Sequence, residues 1–451
     1  MMVQLYCMEK THAEAINYLY SLRNMGAKLG LERVERLLEE LGSPQNDFRS
    51  ILVGGTSGKG STVTMLASIL QETGYKTGRY TSPHLHSLTE RIVIDGKEIN
   101  ENELVAMVVR IRNAIEKMKT QPEFEHPTFF EVITAIAFLY FAEKKVEIAV
   151  LEVGLGGRLD ATNVVNPLCS IITNVSLEHQ KILGDTVEKI ANEKAGIIKN
   201  NGILITAAKE GALAVLETKC KKKNSRIIRI GKEIIATRSF VGIDGQKIRI
   251  KNSERMYELF VPFIGRYQIE NTACAVGAIC VLQNSGIAIS DMAIINGLKN
   301  TRWPGRMEII QKKPLIILDG AKDANAMERL VETISNDIDY GKLIVVMSIC
   351  SDKNIKKMME EIVKITDHII ITKHKVMDRA IDPKIIAKEV HSIPYEIIED
   401  VRQATKKAIE IANDDDLVLV TGSLFAVAEA REIWYGKNIT MGLDLNEIPK
   451  K

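Results

Sequence analysis

The chain has 451 residues, 45% of them apolar and 26% charged, and Lys+Arg 60 against Asp+Glu 58 leave a net charge of +2. That length holds about three compact lobes or two large ones, and that composition excludes a mainly disordered chain, a collagen and a small disulfide scaffold. No basic excess advertises nucleic acid or an anionic membrane surface. Cys7, Cys169, Cys220, Cys274, Cys280 and Cys350 are scattered, with no CxxC pair and no Cys/His cluster at zinc spacing. They read as small buried hydrophobes of a reducing cytosol. The N-terminus carries acidic residues and no long apolar stretch, so it does not read as a signal peptide. No apolar run approaches the roughly 20 residues of a membrane span, and the expected compartment is the cytoplasm.

Residues 12–41 show helical periodicity, with Ile16, Leu19, Leu22, Leu29, Leu31, Val34, Leu37 and Leu38 as candidate core positions. Ile51–Val53 reads as a short buried strand, a glycine-rich turn follows, and Val63–Thr73 carries helix spacing. Three further strand-like runs follow, in EIAVLEVGLGG, LCSIITNVSLEH (168–179) and GILITAA (202–208), with helical stretches at about 129–143 and 185–198. Alternating β and α predicts a doubly wound parallel sheet with ligands at the carboxyl ends of its strands. Residues 226–263 change to short β-rich pieces between Gly and Asn turns, which predict an antiparallel flap. A helix at about 268–284 follows, and Pro304 and Gly305 then mark a domain boundary. LIILDGA, KLIVVMSIC, HIIITK and DLVLVTGS predict four strands of a second, Rossmann-like α/β domain. The expected organisation is 1–300, 301–436 and a polar tail at 437–451. The fold class is therefore α/β.

The turn after the first strand reads GGTSGKGST, with Thr56, Ser57, Gly58, Lys59, Gly60, Ser61 and Thr62. Glycines let backbone N–H groups approach a phosphate, and a helix N-terminus adds positive potential. Lys59 can reach the outer phosphates, and Ser61 or Thr62 can offer a hydroxyl near a metal. The common phosphate loop is GxxxxGK(S/T). Here Val53 stands where its first glycine would be, and Gly60 separates the lysine from the hydroxyl. An ordinary glycine-rich βα turn is the competing explanation.

That variant loop resembles the one in ATP-dependent amide ligases of the Mur ligase superfamily. TSPHLHSLTERIVIDGKEI (81–99), LEVGLGGRLDATN (151–163), ITNVSLEHQKILGDTVEKIANEKAGIIK (172–199), GRYQIENTACA (265–275), WPGRMEII (303–310), LDGAKDANA (318–326) and VTGSLFAVAEAR (420–431) narrow the match. Together they resemble the folylpolyglutamate synthase/dihydrofolate synthase family over nearly the whole chain. The resemblance implies a ligase that phosphorylates a carboxylate with ATP and Mg²⁺ and lets an amine attack the acyl phosphate. The expected substrates are a pterin- or folate-like carboxylate and L-glutamate, and the expected state is a monomer.

The resemblance also implies roles for residues. Ser82, Glu152 and His179 would hold magnesium, and Glu178 precedes that histidine where the family usually has Asp. Lys194, in EKAGI, would be carbamylated by CO₂ and orient a second metal. Asn271, Arg306 and Asp319 would contact ATP together with Thr56, Ser57, Gly58, Lys59, Gly60 and Ser61. His84, Arg91, Thr128, Glu131 and Asp160 fall in stretches that match the substrate side. Ordinary helix-start capping is an equal account of Thr128 and Glu131. The chain departs from the family where DGAHNP becomes DGAKDAN: Lys322 keeps a cation but loses the geometry and acid–base range of imidazole. Lys59, Lys194, His179 and Lys322 are the candidate catalytic groups. Two alternatives remain beside the folate reading. One is a related ligase on another cofactor, such as one closing a lactam on a tetrapyrrole intermediate. The other is a non-catalytic ATP-binding partner subunit.

Overall fold

The computed structural model describes residues 2–26, 28–120, 124–375 and 379–436; the polar tail expected at 437–451 lies outside the described residues. The first sheet has eight strands: β1 (Arg49–Gly54), β2 (Thr77–Tyr80), β3 (Ile92–Ile94), β4 (Lys97–Glu98), β5 (Ile148–Glu152), β6 (Cys169–Ile172), β7 (Ile203–Thr206) and β8 (Arg226–Arg229). Their order is β4-β3-β2-β5-β1-β6-β7-β8. The six from β2 to β8 are parallel, while β3 and β4 form an antiparallel edge. Strands β1 and β5 are covered on both faces, which is why they read as unbroken apolar runs. Side chains alternate across the sheet. Ile51 and Val53 pack under the helices Lys59–Glu72 and Tyr267–Asn284, and Leu52 faces the helices Glu101–Met118 and Phe129–Glu143.

The helical region expected at 12–41 divides into Met2–Ser21 and Glu32–Glu40, joined by a short 3₁₀ turn and a loop. Leu29, expected in the core, lies in that loop and is 51% exposed. Glycines at 26 and 30 interrupt the helix, so the apolar spacing carries no helical meaning there. The other core candidates on the two helices, Ile16, Leu19, Val34, Leu37 and Leu38, are buried.

The flap is smaller than expected. RIIR is not part of it; as β8 it extends the parallel sheet, because the helix Glu210–Lys222 returns the chain beside β7 with Ile228 buried. The antiparallel sheet proper is β9 (Ile235–Gly242), β10 (Gly245–Lys251) and β11 (Met256–Val261). It acts as a brace. Ile243 packs on the core of the second sheet, Arg238 Nη1 donates to Asp337 Oδ2 at 2.6 Å, and Lys312 Nζ donates to Asp244 Oδ1 at 2.7 Å.

The second sheet contains β12 (Glu308–Lys312), β13 (Leu315–Leu318), β14 (Leu343–Met347), β15 (His368–Lys373), β16 (Tyr395–Asp400) and β17 (Leu417–Thr421), in the order β12-β13-β17-β14-β15-β16. Strand β12 is antiparallel to β13 and the others are parallel. The four inner strands are the four runs read from sequence. The two edges escaped notice because β16 alternates between exposed and half-buried positions and β12 is nowhere fully buried. Each sheet turns the carboxyl ends of its strands toward one cleft, where the segment 301–307 carries the chain across.

Candidate active site

The loop after β1 is held by hydrogen bonds to the residues that follow β6. Ser57 N donates to Asn174 Oδ1 at 3.0 Å, and Ser57 O accepts from Asn174 Nδ2 at 3.0 Å and Thr173 Oγ1 at 2.6 Å. Thr56 Oγ1 accepts from Ser176 N at 3.1 Å. Gly58 has φ +80, and a Cβ there would lie 2.1 Å from Asn271 Oδ1, so both backbone and space demand glycine. A Cβ on Gly60 would lie 2.7 Å from the Trp303 ring. Ser61 is buried in the first helical turn. Lys59 curls back over the loop, donating to Gly55 O at 3.0 Å and Thr56 O at 3.2 Å.

Glu152 ends β5 in register with Val53, so its carboxylate arrives beside this loop. Ser82 N donates to its Oε2 at 3.0 Å. Burial pushes the Glu152 carboxyl up, against the pull of Lys59, the Ser82 N–H, Arg306 and Lys322. A dry carboxylate facing three cations is a hard oxygen donor in a site shaped for anions. Among the described residues no three His, Cys, Asp or Glu side chains gather into a metal cage. Mg²⁺ uses one or two carboxylates and otherwise waters and phosphate oxygens, and Glu152 is a carboxylate of that kind. His179 has φ +43 at the start of a short helix. Desolvation lowers its pKa; Glu178 opposes this, and Lys353, Lys322 and Lys59 add to it, leaving a neutral ring with a lone pair to offer.

Lys194 is 1% exposed, donates to Gly55 O at 2.9 Å and forms an ion pair with Glu178. Burial drives its pKa down, with Lys59 adding to the shift and Glu178 resisting it. A Glu at 178 reaches one methylene further than an Asp would, and its carboxylate meets this lysine.

From the second sheet come Asp319, Arg306 and Lys322. Asp319 is buried at the end of β13; its two oxygens accept from Met307 N and Ala321 N, both at 2.9 Å, which pins the linker turn to the strand. Burial raises its carboxyl pKa while Arg306 and the two N–H groups lower it. Arg306 Nη1 donates to Gly305 O at 3.1 Å. Asn271 Nδ2 donates to Gln268 Oε1 at 2.8 Å and keeps Oδ1 against Gly58. Lys322 is open to the cleft and has no hydrogen-bond or ion-pair partner among the described residues. Desolvation in the cleft brings its ammonium down to about 8, helped by Arg306, Lys59 and Lys353 and opposed by Asp323.

Sequence reading missed Lys353, whose charge acts on both His179 and Lys322. It pairs with Asp352 at 2.9 Å, and Arg379 holds the same carboxylate at 3.1 Å. Partial burial would raise Asp352, but those two hydrogen bonds outweigh it and bring the carboxyl to about 2. The available signal was a lysine just past the carboxyl end of the parallel strand β14.

The substrate-side candidates are more internally occupied. Arg91 Nε donates to His84 Nδ1 at 2.9 Å, and its guanidinium lies 5.5 Å from the Phe129 ring centre. Burial, then the charge of Arg91, lowers His84 well below the usual imidazole range. Thr128 and Glu131 form a reciprocal capping box on the helix Phe129–Glu143, and Glu131 also pairs with Arg33 at 2.9 Å. Asp160 accepts from Leu155 N at 2.9 Å and Thr162 N at 3.0 Å, which fixes the glycine turn after β5. Among the described residues the side-chain hydrogen bonds and ion pairs of Thr128 and Glu131 go to each other and to Arg33, not to the phosphate loop. A cavity of about 940 Å³ opens between the sheets, lined in part by Asn174, Ser176, Glu270, Asp323 and Arg329, but not by the loop residues 54–62, Glu152, Asn271, Arg306 or Lys322.

Comparison with known proteins agrees with this geometry. The Mur ligase middle domain matches residues 53–279, and the Mur ligase glutamate ligase domain matches 305–424. The chain is 34% identical to the dihydrofolate synthase/folylpolyglutamate synthase of Bacillus subtilis, over 93% of this chain and 98% of that one. The crystal structure of folylpolyglutamate synthase from Thermotoga maritima superposes with a TM-score of 0.82 at 37% identity, covering 96% of this chain and 97% of that one. The Mycobacterium tuberculosis folylpolyglutamate synthase complexed with ADP and AMPPCP superposes with a TM-score of 0.86 at 28% identity, covering 94% and 98%. The chain belongs to the folylpolyglutamate synthase/dihydrofolate synthase family of Mur ligases, enzymes that form a C–N amide bond at the expense of ATP.

Proposed function

We propose that this chain joins L-glutamate to the carboxylate of a dihydropteroate or reduced folate. ATP transfers its terminal phosphoryl group to the carboxylate, giving ADP and an acyl phosphate. The glutamate amine then attacks the acyl carbon, and phosphate leaves with the bonding pair. The observation that carries this reading is Glu152, buried beside the phosphate loop at the end of β5 and within electrostatic reach of Lys59 from one sheet and of Arg306 and Lys322 from the other. Positioning and charge neutralisation make up most of what phosphoryl transfer asks of a protein.

In this reading Lys59 leaves the Gly55 and Thr56 carbonyls for the ATP phosphates, with Thr56, Ser57, Gly58, Gly60 and Ser61 forming the cradle. Arg306 reaches the phosphates from the linker, where its planar fork suits bidentate contact. Asn271 backs the loop, and Asp319 holds the turn that aims Arg306. Mg²⁺, held by Ser82, Glu152 and His179, would neutralise phosphate oxygens during transfer. Lys322 places a cation where negative charge develops on the acyl carbon's substituents. His84, Arg91 and Asp160 shape the substrate side, with Thr128 and Glu131 capping the helix behind it.

Carbamylation of Lys194 and a second Mg²⁺ complete the proposal. A lysine reacts with CO₂ only as the neutral amine, and burial favours that form. The carbamate would give up the pairing with Glu178 and turn a cation into an oxygen ligand. The reading also takes the enzyme as a cytoplasmic monomer acting on small molecules. Among the described residues no helix is long and apolar enough to cross a membrane.

The test is phosphate release with ATP, Mg²⁺ and L-glutamate, with and without dihydropteroate or tetrahydrofolate, with products weighed by mass spectrometry. A product heavier by one glutamyl residue is expected. Release that no folate stimulates would overturn the acceptor and turn attention to other carboxylated cofactors. ATP binding without any turnover would leave only the partner-subunit alternative.

A further inference from the structure

The motif VTGSLFAVAEAR ends in an arginine that ligation leaves without a task. Arg431 lies buried on the helix Leu424–Tyr435 of the second sheet. Its guanidinium forks onto Glu308, Nε donating to Oε2 at 2.8 Å and Nη2 to Oε1 at 2.9 Å. Its third nitrogen, Nη1, donates to His86 Nε2 at 3.0 Å, a contact between residues 345 positions apart. His86 stands on the first-sheet loop that begins at Ser82, whose N–H holds Glu152. Its neighbour Leu85 packs on the core of the second sheet.

Glu308 in turn accepts from Gly305 N at 2.7 Å, and Gly305 O accepts from Gly320 N at 2.9 Å. Gly305 precedes Arg306. One guanidinium thus connects the loop that positions Glu152 to the turn that positions Arg306. We propose that Arg431, acting through His86 and Glu308, is a positioning residue that sets these two halves of the site in register. The proposal rests on the ligase reading above.

The chemistry of the three groups supports it. Arginine only donates, so His86 Nε2 must present its lone pair. Burial, then the charge of Arg431, lowers the His86 pKa to about 4, so the ring stays a neutral acceptor throughout the neutral range. Nδ1 then carries the proton, and it is buried with no hydrogen-bond partner among the described residues. A planar fork can hold Glu308 with two nitrogens and still present a third to His86; a lysine cannot.

The test uses the full chain and the variants His86→Ala and His86→Gln, both of which leave the Arg431–Glu308 pair intact. Steady-state kinetics are measured for each substrate, and backbone hydrogen exchange is followed without ligands. His86→Ala is expected to lower kcat about tenfold through misplacement of the reacting groups, with the KM for ATP within about twofold of the wild type. Exchange should quicken both at 82–91 and, across the cleft, at 303–308. His86→Gln, whose side-chain carbonyl can accept from Arg431, should restore both. Unchanged kcat in His86→Ala, faster exchange confined to 82–91, or a glutamine variant no better than alanine would overturn the proposal. Wild-type protein that adds no glutamate to any folate would instead sink the ligase reading. The exchange pattern needs no turnover and would still decide the positioning role.

Discussion

Two turns face each other across the cleft, one after β1 and one after β13. Each runs from a buried parallel strand through a glycine and a lysine into a helix. In the first, Lys59 rests on two carbonyls of its own loop, and the loop is interlocked with residues 173–176. In the second, Asp319 and Gly320 tie the turn to the linker, yet Lys322 has no partner among the described residues and faces Arg306, Lys59 and Lys353. The first turn is held by its own hydrogen bonds. The second holds a cation among cations, an arrangement that an anion between the two turns relieves. Such an anion stabilises this arrangement of the two turns by offsetting the repulsion between their cations.

The comparison predicts unequal responses to mutation. Lys59→Ala should cut ATP turnover on the order of a thousandfold, since the cradle then lacks its mobile charge. Phosphate release measures it, and retained turnover would refute the assignment of the loop. Lys194→Ala should lower activity by roughly ten- to a hundredfold, as loss of a group supporting a metal site does. Short carboxylates such as formate should recover part of it if a carbamate is the missing ligand. Full activity in plain buffer would eliminate the carbamate.

Rigidity of the first turn can be broken directly. Gly58→Ala puts a Cβ 2.1 Å from Asn271 Oδ1 at φ +80. The backbone alone should cost about 1–3 kcal/mol in stability, read by denaturant unfolding, and ATP affinity should fall with it. Adding Asn271→Ala removes the collision but not the strain, so the double variant should recover only part of the stability. Complete recovery would mean that the positive φ contributes nothing.

How much of this was legible in the sequence follows the same division. The first turn could be read because an apolar strand, close glycines and a lysine are local signals, adjacent in the chain. Strands β13, β14, β15 and β17 were equally plain as apolar runs, whereas β12 and β16 carry no such run at the sheet edge, and β8 was assigned to the flap because only its pairing with β7 distinguishes it. Lys353 and Arg431 gain their meaning from residues far away in sequence, His179 and Lys322 for one, His86 and Glu308 for the other. Thr128 and Glu131 illustrate the opposite case: a capping box written in four consecutive residues was visible from the start, and the structure uses it as one.

The smallest expected effect concerns the second turn. Lys322 has a folded pKa near 8 against an ordinary value of 10.5. Between those values the unfolded chain binds more protons at this position than the folded one, so this lysine makes stability rise with pH across that window. Below about 8 the ammonium is charged in both states, and its desolvation, followed by repulsion from Arg306, Lys59 and Lys353 and eased by Asp323, weighs fully against the fold. Lys322→Met should therefore make the protein slightly more stable at neutral pH and flatten the rise between about pH 8 and 10, with exposure to the cleft keeping the change small. Buried Lys194 titrates in the same direction and remains in the variant, so the slope should shrink without vanishing. Denaturant unfolding of both proteins at several pH values measures this. An unchanged slope would mean that Lys322 is already paired in solution, and the two turns would then differ in sequence but not in electrostatic state.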